Sequence, residues 1–444
     1  MRIEFVNHAS FITEFNGVRL MSDPWLHGPA FNNGWDLISE TVFKTEDFAT
    51  IDYLWFSHEH PDHFSPPVLK AIPRELRQHV TVLYQECRDK KVLKFCEGLG
   101  FQTQELPSGR RVQLKGGLTV LCKSVPLFDS WLLMESDNRA VLNLNDTILR
   151  SPRALRSVQN LVGRPIDAMF SQFSYASWRG DESAVAQRRA DAQRKLEIFK
   201  LHVSALKPRV AVPFASFSFF SHEENAFMSD SANKPWDVVE AVERAGQEAV
   251  LLYPGDRWEV GAKHDNAAAI ERYRDDYAAL SEHPRRSSEE VSMTSLVTSA
   301  TKYIERVKSK NDALVMKLLK LTPLLRAFHP VDIYIWDLKK SVRFDFSSGL
   351  KEIASREKCY SLQMGSDSLD FLFKFAWGLD TLMVNGRFQA DPAGLRRLLM
   401  TFGADVLNNS GIRVAPSLLV DVPTIAFLLK VLLSRLWAIR RSAA

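Results

Sequence analysis

Cysteine is scarce and dispersed. The four in this 444-residue chain, Cys87, Cys96, Cys122 and Cys359, form no C-x-x-C pair. That leaves neither a disulfide framework nor a cysteine cage for zinc or an iron–sulfur cluster, and it favours a reducing compartment. An excess of one charge is missing too: 57 basic against 53 acidic side chains give a net +4, too little for the basic face by which nucleic acid is bound. An uninterrupted apolar run of membrane-spanning length is also lacking. The most apolar stretch, Ser417 to Ile439, is broken by Asp421, Pro423, Lys430 and Arg435, so it is expected as a core or interface helix. A membrane-surface helix ending at Trp437 and Arg440-Arg441 is the less favoured alternative. The opening Met1-Arg2-Ile3-Glu4-Phe5 enters an alternating strand pattern without the charged and apolar regions of a leader. The expectation is a cytoplasmic protein with no internal repeat.

Histidine is sparse as well, with 11 residues, yet three of them fall in one stretch, Ser57-His58-Glu59-His60-Pro61-Asp62-His63-Phe64. It follows the apolar run Ile51 to Phe56, which has the composition of a buried strand. A strand that stops in a cluster of ligand-type residues puts them on a loop at a sheet edge, held by the scaffold and open to solvent. Imidazole nitrogens with a carboxylate suit zinc, iron or manganese better than calcium or magnesium, which prefer oxygen shells.

With 45% hydrophobic and 25% charged residues, the chain can bury a sizeable core, and its length calls for more than one domain. Residues Arg2 to Ser22 read as two strands joined at Asn16-Gly17, a pair suited to tight hairpins. An aromatic-rich loop follows, through Trp25, His27, Phe31 and Trp35. Pro66 to Ala71 reads as a short helix with proline in its first turn. Strands are expected at Val80 to Tyr84, Val112 to Leu114, Leu118 to Ser124, Ser130 to Glu135 and Ala140 to Leu144. Their short connections imply mostly antiparallel pairing. Ala168 to Ser171 and Val210 to Val212 read as buried strands flanking one long amphipathic helix, Glu182 to Leu206. The loops around Trp25 to Trp35, Tyr175 to Arg179 and Phe214 to Phe220 are expected to wall a groove, with about half of their aromatics in the core. The pattern loosens past Pro254-Gly255-Asp256. This divides the chain into residues 1–260, a connector over 261–300 that is mainly helical, and a C-terminal α+β module over 301–444. Strands are expected there at Val331 to Trp336, Val342 to Phe346 and Leu382 to Phe388, and helices at Asp367 to Phe375 and Pro392 to Phe402.

The loop pattern H-x-H-x-D-H, here His58, His60, Asp62 and His63, resembles the signature of the metallo-β-lactamase superfamily. The resemblance implies an αββα sandwich carrying two metal ions, the first two histidines serving one and Asp62 with His63 the other. Further ligands then come from later strand ends. Asp146, after the strand ending at Asn145, is where the superfamily has an aspartate bridging both metals, and a shared anion offsets the repulsion between two cations. His222, after the strand Val210 to Val212, takes the place of the last ligand to the second metal. The superfamily's hydrolases usually supply a histidine between the loop and the bridging aspartate. None occurs here between His79 and His202, and Asp129 is the best substitute. A carboxylate in that shell suits iron better than zinc.

More specific matches are to the CMP-N-acetylneuraminate hydroxylase family: Asn7-His8-Ala9, Asp23-Pro24-Trp25-Leu26, Gly28-Pro29-Ala30-Phe31, Gly34-Trp35, Lys207-Pro208-Arg209, Pro213-Phe214-Ala215 and Ser221-His222. Trp377-Gly378-Leu379-Asp380-Thr381-Leu382, Gly386-Arg387-Phe388-Gln389 and Asp391-Pro392 resemble the tail of the same family and, more loosely, a sterol-carrier-type module. The likeness implies an iron-dependent hydroxylase fed through a Rieske domain, but the cysteine and histidine pairs of a Rieske centre are not in this chain. Electrons would then come from a separate donor or from the substrate. Two readings follow. The first is a di-iron oxygenase acting on a biosynthetic small molecule, with Asp62, Asp129 and Asp146 as its catalytic carboxylates. The second is a zinc- or manganese-dependent hydrolase of a phosphoester, lactone or amide. A homodimer is left open.

Overall fold

Strands that are buried on both faces lose the alternation of polar and apolar residues and read as solid apolar runs. Tyr53–Phe56 is such a strand, all four of its residues buried. In the computed structural model, which describes residues 1–87, 89–125, 129–322, 327–354, 361–409 and 411–419, it lies inside a seven-stranded sheet. The strand order of that sheet is Arg257–Glu259, Arg2–Asn7, Ser10–Phe15, Val18–Ser22, Tyr53–Phe56, Thr81–Gln85 and Gln102–Leu106. A second seven-stranded sheet has the order Glu248–Ala249, Val210–Phe214, Ala168–Gln172, Ala140–Asn145, Ser130–Glu135, Thr119–Ser124 and Arg111–Gln113.

The two sheets bury their inner faces against each other. Phe5, Phe11 and Trp55 of the first meet Trp131, Leu133, Phe170 and Phe214 of the second, and the Phe11 and Phe170 rings stack with centroids 4.3 Å apart. The outer face of the first sheet, through Ile12, Met21, Leu54 and Phe56, is covered by Val68, Leu69, Val92, Leu93 and Cys96, which lie on helices Pro66–Ala71 and Lys91–Leu99. Leu155, Val158, Phe199 and Val203 join the second sheet's core from helices Pro152–Val162 and Val185–Leu206. The layers are helix, sheet, sheet, helix, as expected.

Register sets the functional edge. Ser22 pairs with Trp55 in parallel, so the strands Val18–Ser22 and Tyr53–Phe56 end side by side. In the second sheet Ala140–Asn145, Ala168–Gln172 and Val210–Phe214 also run parallel. Parallel strands deliver their C-terminal loops to one end, which is where α/β sheets place ligands.

Several expectations are corrected. Arg2 to Ser22 is three strands, not two: Asn16 (φ 48°) and Gly17 (φ 75°) make the expected turn, but a second break falls at His8 (φ 44°). Of the strands expected to pair mostly antiparallel, Arg111–Gln113, Thr119–Ser124, Ser130–Glu135 and Ala140–Asn145 do so, but Thr81–Gln85 is parallel to both of its neighbours. The helix Lys91–Leu99, unseen in the sequence reading, supplies the crossover into the edge strand Gln102–Leu106, which is polar and poorly buried and so carries little apolar signal. Ser218–Phe220, expected as loop, pairs with Trp35–Leu37. Leu382 to Phe388 is not a strand. It belongs to helix Gly378–Asn385, which ends in the left-handed Gly386 before the short strand Phe388–Ala390, and a run that short does not separate the two periodicities. The helix Met293–Lys310 continues through residue 300. Residues 420–444, most of the apolar tail, lie outside the described residues. No helix among the described residues is long and apolar enough to cross a membrane.

The C-terminal sheet has the order Gly349–Ile353, Lys340–Asp345, Val331–Ile335, Leu362–Met364 and Phe388–Ala390. Its core is continuous with the aromatic loop: Trp25, Phe31, Trp35, Tyr175, Trp178 and Phe220 share one buried cluster with Leu369, Leu372 and Phe388. These aromatics therefore join the two parts of the chain, while Trp35, Tyr175 and Phe220 also line a small pocket, as the loops were expected to. The approach is close at Gly34, where an added Cβ would stand 2.5 Å from Asn385 Cβ and 3.0 Å from the Phe31 carbonyl. Gly34→Ala is expected to lower stability by roughly 1–3 kcal/mol through overpacking. Gly98→Ala, on a helix with open space around it, should raise stability by up to about 1 kcal/mol. Urea unfolding of both variants checks this, and a neutral Gly34→Ala would contradict the close approach.

Candidate metal centre

Three strand ends around the His58 to His63 loop turn through a left-handed residue that is not glycine: His8 (φ 44°), Asp23 (φ 37°) and Asn145 (φ 51°). Such conformations cost roughly 1–3 kcal/mol each and collect at functional sites. All three side chains are buried and all face the same loop. Asp23 is the hub. Its Oδ1 accepts the Ser57 N–H at 2.7 Å, and its Oδ2 lies 3.1 Å from His63 Nδ1 and accepts from Asn145 Nδ2 at 2.8 Å. A carboxylate on Nδ1 fixes the proton there and leaves Nε2 as the free donor of electrons.

His63 Nε2 points at Asp62 Oδ2, 3.3 Å away, and Asp146 Oδ2, 3.6 Å away. His8 Nε2 reaches the same Asp62 Oδ2 at 3.3 Å. On the other side His58 Nε2 faces His60 Nδ1 at 3.0 Å, while His58 Nδ1 lies 2.9 Å from Ser57 Oγ and 3.7 Å from Asp129 Oδ1. Asp129 Oδ2 takes the Thr147 hydroxyl at 3.3 Å, and the neighbouring Ser130 hydroxyl donates to the Ser57 carbonyl at 2.7 Å. His60 Nε2 is 2.6 Å from Asp380 Oδ2. Among the described residues, two groups have ligand atoms all within 4.8 Å of one another: His8, Asp62 and His63, and His58, His63 and Asp146.

The charges in this cluster pull against one another. Burial, then the neighbouring His63 and His60, drive His58 well below the ordinary imidazole range. Burial opposes a charge on His63, but Asp62 and Asp146 outweigh it and hold its pKa well above that range. Burial and the Asp146 carboxylate push Asp129 up to about 7. Like charges crowded out of water are offset when a cation sits between them. The unpartnered atoms fit a cation too. Among the described residues, Asp62 Oδ1, His63 Nε2 and Asp146 Oδ1 are buried without a hydrogen-bond partner, a costly arrangement unless a ligand takes them up. The residues present fit metal binding: His8, Asp62 and His63 form one group and His58, His63 and Asp146 another, with His60 and Asp129 beside His58.

Six of the seven expected site residues, His58, His60, Asp62, His63, Asp129 and Asp146, meet at this edge. His222 does not join them. Its Nε2 lies 3.2 Å from Ser288 Oγ, its Nδ1 accepts the Glu224 N–H at 3.2 Å, and burial with the nearby Arg387 takes its pKa to about 3. The turn after Ser218–Phe220 carries it toward the C-terminal module instead, and the histidine that joins Asp62 and His63 is His8. Sequence reasoning missed His8, Asp23 and Asn145 as parts of the site, although Asn7-His8-Ala9 and Asp23-Pro24 stood out as motifs. The aromatic loop supports the histidines directly: Trp25 packs edge-on to His8 at 5.4 Å and Phe31 to His60 at 5.6 Å. Lys195 was also missed. It donates to Gln172 Oε1 at 2.6 Å, Gln172 donates to the Asp146 carbonyl, and burial lowers the Lys195 pKa to about 8. His27 lies apart, on the rim of an open cavity of about 810 Å³ that it shares with Asp36, Phe219, His283 and Arg286.

Residues 2–116 match the family model of the β-lactamase superfamily domain. Among curated proteins, the chain is 27% identical over 241 residues to the cytidine monophosphate-N-acetylneuraminic acid hydroxylase of Cricetulus griseus, covering 52% of this chain and 42% of that protein. It is 26% identical over 244 residues to the Homo sapiens protein named as the inactive form of that hydroxylase, covering 53% and 48%. The chain thus spans under half the length of these relatives. Similar solved structures include a mutant of CmlA β-hydroxylase (18% identity, TM-score 0.40, 58% of this chain and 53% of that one). Another is an isothiocyanate hydrolase from Delia radicum gut bacteria (14%, TM-score 0.41, 58% and 98%). The fold and family resemblance set out from the loop motif is borne out.

If His8 rather than His222 completes the second ion's shell, His8→Ala weakens one of two bound ions at least about 100-fold, more than the loss of an outer-shell partner costs, and His222→Gln leaves both in place. Metal titration with a competing chromophoric chelator distinguishes the two, and the reverse pattern would restore His222 as the ligand.

Proposed function

With the metallo-β-lactamase fold as premise, we propose that this chain is a non-haem di-iron oxygenase that hydroxylates a small-molecule biosynthetic intermediate. The observation that carries the reading is the Asp129 carboxylate beside His58, in a stretch of sequence without a histidine. An added anionic oxygen ligand shifts preference from zinc toward iron. The likeness to curated hydroxylases over half of the chain supports the same reading.

Bound iron would supply the binding and reduction of dioxygen. The protein's part is positioning. Asp23 keeps the proton on His63 Nδ1, so the ring presents Nε2 to the site. Ser57 holds His58 through its hydroxyl, and Ser130 ties that loop to the second sheet. Asp146 stands between the two ligand sets, and Lys195, reached through Gln172, offsets its charge from behind. Burial of His8, His58, Asp62 and His63 excludes bulk water and strengthens every electrostatic contact made there. Hydroxylating a C–H bond with dioxygen consumes two further electrons and two protons as one oxygen leaves as water, so the proposal includes a separate electron donor. In this reading residues 1–260 hold the metals and the C-terminal module, entered through helix Met293–Lys310, closes over the site.

Protein purified without oxygen is expected to hold about two irons per chain and to change its charge-transfer absorption on exposure to oxygen. Tightly bound zinc with no response to oxygen would overturn the proposal in favour of a hydrolase. Asp129→His should retain metal but lose oxygen consumption, and unaltered oxygen chemistry in that variant would remove Asp129 from the account.

A further inference from the structure

His60 is held from both sides. Its Nδ1 faces His58 Nε2 at 3.0 Å, and its Nε2 lies 2.6 Å from Asp380 Oδ2. Two imidazole nitrogens turned toward one another at that distance suit a shared cation, provided each ring carries its proton on the far side. For His60 the far side is Asp380, on helix Gly378–Asn385 of the C-terminal module.

That helix is pinned at both ends. Before it, Trp377 Nε1 donates to Glu59 Oε2 at 3.1 Å, inside the ligand loop, and Lys91 Nζ sits 3.4 Å from the same oxygen and 5.3 Å from the Trp377 ring centre. At its end the buried Asn385 donates to the Phe31 carbonyl at 2.9 Å and accepts through its own carbonyl from Asn225 Nδ2 at 2.7 Å. Asp380 therefore reaches His60 from a fixed platform rather than from a free surface chain.

We propose that Asp380 is a positioning residue of the metal centre. Its carboxylate accepts the Nε2–H of His60, selects that tautomer and aims the Nδ1 lone pair at the ion shared with His58. The first metal shell is thus built on the N-terminal sheets and locked by the C-terminal module, which gives that module a role in metal binding. The proposal rests on the two-ion reading of the site.

The test uses the full chain loaded with cobalt(II), whose visible absorption reports ligand geometry. Wild type is expected to bind two ions. Asp380→Ala should weaken one of them by about 10–100-fold, the usual cost of losing an outer-shell carboxylate, alter its absorption band and leave the other ion unchanged. Asp380→Asn, whose amide oxygen still accepts from Nε2–H, should recover most of the affinity. Two ions bound equally well by wild type and Asp380→Ala would overturn the role of Asp380 alone. Equal weakening of both ions, together with a lower melting temperature of the metal-free protein, would overturn it as well, because Asp380 would then act only in folding. A wild-type chain that takes up no cobalt would overturn the two-ion reading itself.

Discussion

One buried carboxylate holds the site together. Asp23 closes the strand Val18–Ser22 in a left-handed turn and accepts from three separate elements: the backbone of Ser57 at the mouth of the ligand loop, the ring of His63, and the amide of Asn145 from the second sheet. A charge this deep is costly unless each lone pair is used. Asp23 uses its oxygens on the groups whose placement decides where a metal can bind. The parallel pairing of Ser22 with Trp55 brings Asp23 beside the loop, so sheet register and ligand geometry are set together.

Electrostatics then give the cluster its character. Asp62, Asp129 and Asp146 crowd against His8, His58, His60 and His63, most of them buried and Asp129, Asp146 and His60 partly exposed, and the protein meets only part of their demand: among the described residues, Asp62 Oδ1, His63 Nε2 and Asp146 Oδ1 have no hydrogen-bond partner. Burial alone would neutralise such carboxylates, as the upward shift of Asp129 to about 7 illustrates. Cations placed among them reverse that logic and favour the charged form. The aromatic loop contributes by packing. Trp25 and Phe31 press on His8 and His60, which narrows the orientations those rings can take.

The sequence was most legible where local chemistry is dense. The H-x-H-x-D-H loop, the Asn16-Gly17 turn, the helix after Ser65 and the buried strands around Asn145 and Val210 were readable because turn residues, proline and solid apolar runs carry their own signal. Asp129 and Asp146 followed from strand ends once the family resemblance was in hand. What was not legible depends on long-range packing. The left-handed conformation of His8 is imposed by neighbours, not by the residue type, so one expected strand became two and a ligand-type histidine went unassigned. His222 was assigned by its position after a strand, but Ser218–Phe220 pairs with Trp35–Leu37 and turns that end of the chain toward Arg387 and Ser288. Leu382 carried no periodicity long enough to separate helix from strand, and Asp380, on the same helix, gave no local sign that it would meet His60.

The two parts of the chain meet over one continuous core, and the ligand loop lies where they meet. Metal binding, helix Gly378–Asn385 and the aromatic loop are therefore expected to be coupled, since a shift in any one displaces His60 or His8. The central claim is a pair of ions sharing Asp146 at the strand ends. Crystals of the iron- or zinc-loaded protein, measured for anomalous scattering at the metal edge, test it most directly. Two peaks are expected, one among His58, His60 and Asp129 and the other among His8, Asp62 and His63, with Asp146 reaching both. No peak in this cluster, or one centred on His222, would contradict the account.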